Sequence, residues 1–146
     1  MGQRELDNLV RIGQPKAEAG VQSEIDGLIR SGTVRLRDAE KATLSRESRF
    51  DLAYNAAHAL SLAAMRWHGY RSENRFLVFQ TLQDTLGLPT EQWRVLDKAH
   101  KLRNLAEYEG EVEVDEAIVE ALIRVATEVE RRVRALGPVQ AARTQE

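Results

Sequence analysis

The sequence predicts an all-α fold: an antiparallel helical bundle of about five main helices, preceded by a short N-terminal helix. Three observations carry that expectation. Ala, Leu, Glu and Arg are prominent in a chain that is 42% hydrophobic and 30% charged, and these side chains lose little rotamer freedom in a helix. Apolar residues recur at helical spacing along most of the chain. Capping residues precede the periodic stretches and glycine or proline follows them.

The elements follow in order. Residues 4–12 read as a short helix with Leu6, Leu9 and Val10 inward, ended by Gly13 and Pro15. Residues 15–20 read as a linker, so residues 1–20 form a unit apart from the bundle at 21–136. From Val21, the positions Ile25, Leu28, Ile29, Leu36 and Ala39 keep helical spacing, and Ser31, Gly32 and Thr33 are expected to kink or break that helix. Ser45 is a suitable N-cap for a helix running to Gly69. Its apolar residues, among them Phe50, Ala53, Ala57, Leu60 and Ala64, lie on nearly all sides, which places it mid-bundle. Ser72 is expected to cap a helix burying Phe76, Leu77, Phe79, Leu82 and Leu86, stopped by Gly87 and Pro89. Thr90 opens a helix that ends at Gly110. Asp115 caps the last one, in which Ile118, Leu122, Val125, Val129, Val133 and Leu136 repeat with a helical period. Residues 137–146 read as a flexible tail.

Composition also excludes function classes. The 146 residues fit one domain. There are no cysteines, hence no disulfide, thiolate metal site or cysteine nucleophile. That suits a reducing, cytoplasmic setting, and the N-terminal residues lack the apolar run of a signal peptide. The apolar stretch 53–65 is interrupted by Asn55, His58 and Ser61 and is too short to span a bilayer. A net charge of −2 does not fit a protein that simply coats nucleic acid. Arg124, Arg131, Arg132 and Arg134 form a local basic segment, read first as a helix end favoured by the macrodipole. No glycine-rich phosphate loop or nucleophile elbow occurs. The three histidines do not share a metal-ligand spacing, and neither a metal nor another cofactor is expected.

The helix from Thr90 carries the candidate site. On a helical wheel Val95, Ala99, Leu102, Leu105 and Ala106 fall on one side, expected to face the core. His100, Arg103, Asn104, Glu107 and Tyr108 fall together on the other. An exposed helix face is ordinarily polar, and Arg103 with Glu107 is an ordinary surface pair. The chemistry of the set goes further. Arg103 offers a fork of donors matched to phosphate. Asn104 offers a donor and an acceptor, and Tyr108 a ring and a hydroxyl. His100 titrates near neutrality. Glu107 could orient Arg103.

Two segments resemble the HEPN superfamily (higher eukaryotes and prokaryotes nucleotide-binding). One is Arg103, Asn104, Leu105, Ala106, Glu107 and Tyr108, followed by a loop and the helix from Asp115. The other runs from Arg49 through Tyr54 and His58 to His68, Gly69, Tyr70 and Arg71, like that family's long central helix. The resemblance covers roughly residues 21–136. It implies a homodimer whose arginine motif faces a cleft at the dimer interface. It also implies partnership with a small nucleotidyltransferase antitoxin in toxin–antitoxin modules, and in many members ribonuclease activity from an arginine followed by a histidine. Arg103 matches the motif arginine and Asn104 the polar residue after it. The histidine position is occupied by Tyr108, and a subgroup reading Arg-x-x-Ala-acidic-Tyr fits Arg103, Ala106, Glu107 and Tyr108. A phenol with a pKa near 10 is a poor base at neutral pH, so metal-independent RNA cleavage would need His100 as acid or base beside Arg103.

Other residues have structural readings. His58 is expected to be buried with a hydrogen-bond partner, or to line the cleft. His68 is expected to bind free carbonyls at its helix end, and Trp67 and Trp93 to anchor the core or an interface. The acidic run Glu109, Glu111, Glu113, Asp115 and Glu116 reads as a solvated loop. The resulting expectation is an HEPN-like homodimer binding RNA or a nucleotide through Arg103, Asn104, Glu107 and Tyr108, set in a toxin–antitoxin or defence module. The alternatives are a non-catalytic helical partner of a nucleotidyltransferase and a structural dimerisation module.

Overall fold

The computed structural model describes residues 16–110 and 113–139. The expected short helix at 4–12 and residues 140–146 of the expected tail lie outside the described residues. The chain is an all-α helical bundle with one two-stranded antiparallel sheet. Its elements are β1 (Lys16–Ala17), α1 (Gln22–Ala39), α2 (Arg46–Trp67), β2 (Tyr70–Arg71), α3 (Arg75–Gln80), α4 (Leu82–Thr85), α5 (Thr90–Glu109) and α6 (Glu116–Ala135). Among the described residues no helix is long and apolar enough to cross a membrane.

Helix α2 is the axis of the bundle, as its all-round apolar surface predicts. Ala53, Ala56, Ala57, Leu60, Ala63, Ala64 and Met65 are all fully buried, and α1, α3, α5 and α6 pack around it. Small side chains on α2 let its neighbours approach closely. The nearest approach explains why Gly32 does not interrupt α1, contrary to expectation. A Cβ at Gly32 would lie 2.6 Å from Leu60 Cγ, so this glycine serves packing and the helix runs through it. Cap chemistry sets the ends of the long helices. Ser45 Oγ accepts from the Ser48 amide at 3.1 Å, and Asp115 Oδ1 from the Ile118 amide at 2.9 Å. Gly110 stops α5 in the left-handed conformation at φ 80°, a region where a Cβ is costly.

Two further expectations need correction. The helix predicted from Ser72 to Leu86 is two short ones, and Asn74 is the cap, its Oδ1 accepting from the Leu77 amide at 3.1 Å. Ser72 Oγ accepts from the Asn74 amide at 3.0 Å, so its hydroxyl orders the turn one step earlier. Residues 16–20, expected to be a linker, are held on the bundle. Lys16 pairs with Arg71 and Ala17 with Tyr70 across β1 and β2. The buried Arg66 guanidinium donates to the carbonyls of Glu18 at 2.7 Å and Ala19 at 2.9 Å, and to the Glu24 carboxylate at 2.9 Å. Past α6, the Gly137 carbonyl accepts from Trp67 Nε1 at 3.0 Å and the Val139 amide donates to Gln22 Oε1 at 2.7 Å.

Candidate functional site

The polar stripe of α5 does not lie opposite the core. Leu96 and Ala99 are the buried residues of this helix, whereas Leu105, expected inward, is 41% exposed. At about 100° per residue, the inward bearing is therefore rotated roughly 80° from the one first read, and Arg103 stands close to its centre. From His100 on, the last two to three turns of α5 carry polar side chains along this bearing where the earlier turns carry Leu96 and Ala99. The result is a polar cleft of about 300 Å³ lined by Tyr54, Glu73, Arg75, His100, Arg103, Asn104 and Glu107. Helix α2 supplies Tyr54, the start of α3 supplies Arg75, and α5 supplies the remainder except Glu73, which precedes α3.

Tyr54 forms the floor. It is buried, and its hydroxyl lies 3.0 Å from His100 Nδ1. The Arg103 guanidinium stands over its ring at 5.0 Å from the centroid, and that of Arg75 at 5.6 Å, both in cation–π range. Arg75 also donates to Asn55 Oδ1 at 3.1 Å. Arg103 is less well satisfied. Its Nε is 3.6 Å from Glu107 and 4.0 Å from Asp51, beyond ordinary hydrogen-bond distance, and its Nη1 is buried with no hydrogen-bond partner among the described residues.

The electrostatics follow from this crowding. Burial raises the Tyr54 pKa, against the lowering effect of Arg75 and Arg103, so the phenol stays protonated at neutral pH. Burial, aided by the charges of Arg75 and Arg103, also lowers that of His100 against the raising effect of Asp97 and Glu107. Its other nitrogen, Nε2, lies 3.1 Å from the Asn104 amide nitrogen. His100 thus sits as a neutral imidazole with both nitrogens engaged.

Four of the five stripe residues are brought together. Tyr108 is not: it is 94% exposed and stands outside the cleft, because its bearing falls well away from Arg103. Sequence reasoning missed Arg75 and Glu73, which carry no signal beyond being charged. Tyr54 had one, its place on a helix that is buried all round, where a hydroxyl demands a partner.

His58 is mostly buried as expected, but its Nε2 has no hydrogen-bond partner among the described residues. The edge of Phe79 lies against it, with ring centroids 6.1 Å apart. Burial, and then the charges of Arg75 and Arg103, push its pKa down to about 4. His68 binds a carbonyl, though not at its own helix end: Nε2 lies 3.0 Å from the Thr85 carbonyl oxygen at the end of α4. Trp67 and Trp93 are half-buried against the core. Most of the basic segment of α6 is engaged within the chain. Arg131 and Arg132 pair with Glu128, and Arg132 also donates to the Leu86 and Gly87 carbonyls at 3.0 and 2.9 Å. Arg134 donates to Thr33 Oγ1 at 2.7 Å. Among the described residues no group of three or more His, Cys, Asp or Glu could hold a metal ion.

No family model, no curated protein and no solved structure matches this chain.

Proposed function

We propose that the chain is an HEPN-like protein that binds the phosphate of RNA or of a nucleotide in this cleft, acting as a homodimer in a toxin–antitoxin or related defence module. The observation that carries the reading is Arg103: a guanidinium fixed over the Tyr54 ring with one buried donor unpaired among the described residues. An unpaired buried donor costs about 1–3 kcal/mol, which an anionic oxygen would recover. Two arginines on one ring, with only loose carboxylate contacts to Arg103, suit a phosphate better than a neutral ligand. The HEPN resemblance of the segment from Arg103 to Tyr108 points to the same ligand class.

The test is binding of a short single-stranded RNA and of a mononucleotide, followed by fluorescence polarisation and calorimetry. Arg103→Ala is expected to weaken binding at least about tenfold, since a charge-assisted hydrogen bond is worth roughly 1.5–3 kcal/mol. Equal affinity in the variant would remove the assignment. Incubating the same RNA with the protein decides between cleavage and binding alone. Binding alone is favoured by the buried Tyr54 hydroxyl, which occupies His100 Nδ1 at 3.0 Å. In that reading, the non-catalytic partner of a nucleotidyltransferase, the exposed Tyr108 is the residue that meets the partner.

A further inference from the structure

We infer that Tyr54 is a positioning residue: its hydroxyl donates to His100 Nδ1 and locks the imidazole in the tautomer that carries its proton on Nε2, as a donor toward the cleft.

The inference follows from the hydrogen-bond inventory of a buried phenol. Tyr54 is 1% exposed, and among the described residues His100 Nδ1 is the acceptor within reach of its hydroxyl, at 3.0 Å. Were Nδ1 protonated, it would donate to the phenol oxygen. The phenol's own proton would then be buried without an acceptor, at the cost such orphans carry. Of the charged groups around the phenol, Arg75 and Arg103 only donate, and among the described residues the Glu107 carboxylate makes no hydrogen bond to it, so none of them relieves that proton. The arrangement that satisfies both groups runs one way: phenol proton toward Nδ1, and Nε2 proton outward. A neutral imidazole has one N–H, and acceptance at Nδ1 places it on Nε2.

Asn104 completes the arrangement. Its amide nitrogen lies 3.1 Å from Nε2, and two N–H groups cannot face each other. Asn104 is exposed, so a half-turn of its amide brings Oδ1 to Nε2. When an anion is bound, as the phosphate-site reading requires, Nε2–H is free to donate to it beside Arg103. The His100 ring then acts as a fixed neutral donor, a role distinct from that of a general base.

The experiment is nitrogen-15 NMR of the imidazole rings at neutral pH, first on the wild-type chain alone and then with inorganic phosphate added. The wild type is expected to show His100 as the Nε2–H tautomer. Tyr54→Phe is expected to give a mixture of tautomers and to weaken phosphate binding about threefold to tenfold, the range of one hydrogen bond. Asn104→Ala is expected to leave the tautomer as it is. An Nδ1–H tautomer in the wild type overturns the inference without any variant. So does a tautomer that is unmoved by Tyr54→Phe or that switches with Asn104→Ala. If the tautomer is as inferred but phosphate perturbs no cleft resonance, the lock stands and the phosphate-site reading fails.

Discussion

Arg66 and Arg103 show how differently two arginines of one bundle can be used. Arg66 is 2% exposed and fully engaged: carbonyls of Glu18, Ala19 and Tyr70 and the carboxylate of Glu24 surround it. It fastens β1 and the approach to α1 onto the end of α2. Removing one member of such a network leaves its partners unpaired, a loss of about 3–5 kcal/mol where burial is complete. Arg66→Ala is expected to lower stability by about 3 kcal/mol, because Glu24 is partly exposed and water can take over part of the loss. Arg66→Lys should recover only part, since an ammonium lacks the fork that reaches several acceptors. Urea denaturation reads both, and unaltered stability in the alanine variant would contradict the role. Neither arginine's role was legible in the sequence. Arg66 sits among apolar residues of α2 with no spacing to distinguish it, and its acceptors are mostly backbone carbonyls. Arg103 was singled out for its company on α5, yet the cation–π contact that fixes it comes from Tyr54, 49 positions earlier. The residues joined across the cleft are distant in the chain, and side-chain spacing within one helix cannot report them.

At the scale of elements, the long helices were readable from their apolar period, and three of their ends from cap chemistry: Ser45, Asp115 and Gly110 each do what their chemistry suggests. The break at Thr81 was not, because threonine is tolerated in a helix and here bonds the Val78 carbonyl at 2.8 Å. The bearing of α5 was misjudged for a related reason. Leu102, Leu105 and Ala106 suggest one inward face and Leu96 with Ala99 another, and packing against α6 and α3 decides for the second. Gly32 was misread because glycine signals both a break and a close contact. That distinction yields a prediction. In an open helix Gly→Ala gains about 0.5–1 kcal/mol. At Gly32 the added Cβ meets Leu60 Cγ at 2.6 Å, Leu60 Cδ2 at 2.9 Å and the Ala56 carbonyl oxygen at 3.2 Å. Forcing α1 from α2 should outweigh the propensity gain, so Gly32→Ala is expected to destabilise the chain by about 1–3 kcal/mol. Gly27, on the same helix, has nothing within 4 Å of its Cβ position, so Gly27→Ala should stabilise. Thermal melts of the two variants must therefore move in opposite directions, and a rise for both would show that α1 and α2 are not in tight contact at Gly32.

For the whole molecule, titratable groups buried on α2 and α6 make stability a function of pH. His58 is held neutral, its folded pKa about 4 against an unfolded value near 6.5. Between those values the unfolded chain takes up a proton that the folded one refuses. Stability is thus full above about pH 6.5 and declines as pH falls toward 4, by on the order of 3 kcal/mol in total. His100, lowered by burial as well, acts in the same direction. Glu130 on α6 extends the decline. Burial opposes its charge, but hydrogen bonds from Thr33 at 2.7 Å and Arg37 at 3.0 Å, with the charges of Arg37 and Arg134, hold its carboxyl below its usual range. Its stabilisation is present above the unfolded carboxylate pKa and is lost as pH falls through the folded one. Acid therefore draws first on the histidines of α2 and α5 and then on the Glu130 contacts that join α6 to α1. Denaturant midpoints at pH 7, 5.5 and 4.5 should fall steadily for the wild type. In His58→Leu, whose side chain needs no hydrogen bond, most of the change between pH 7 and 4.5 should disappear, while the loss below pH 4.5 from Glu130 remains. A wild-type midpoint that does not move between pH 7 and 4.5 would mean that His58 finds a partner for its proton inside the folded chain.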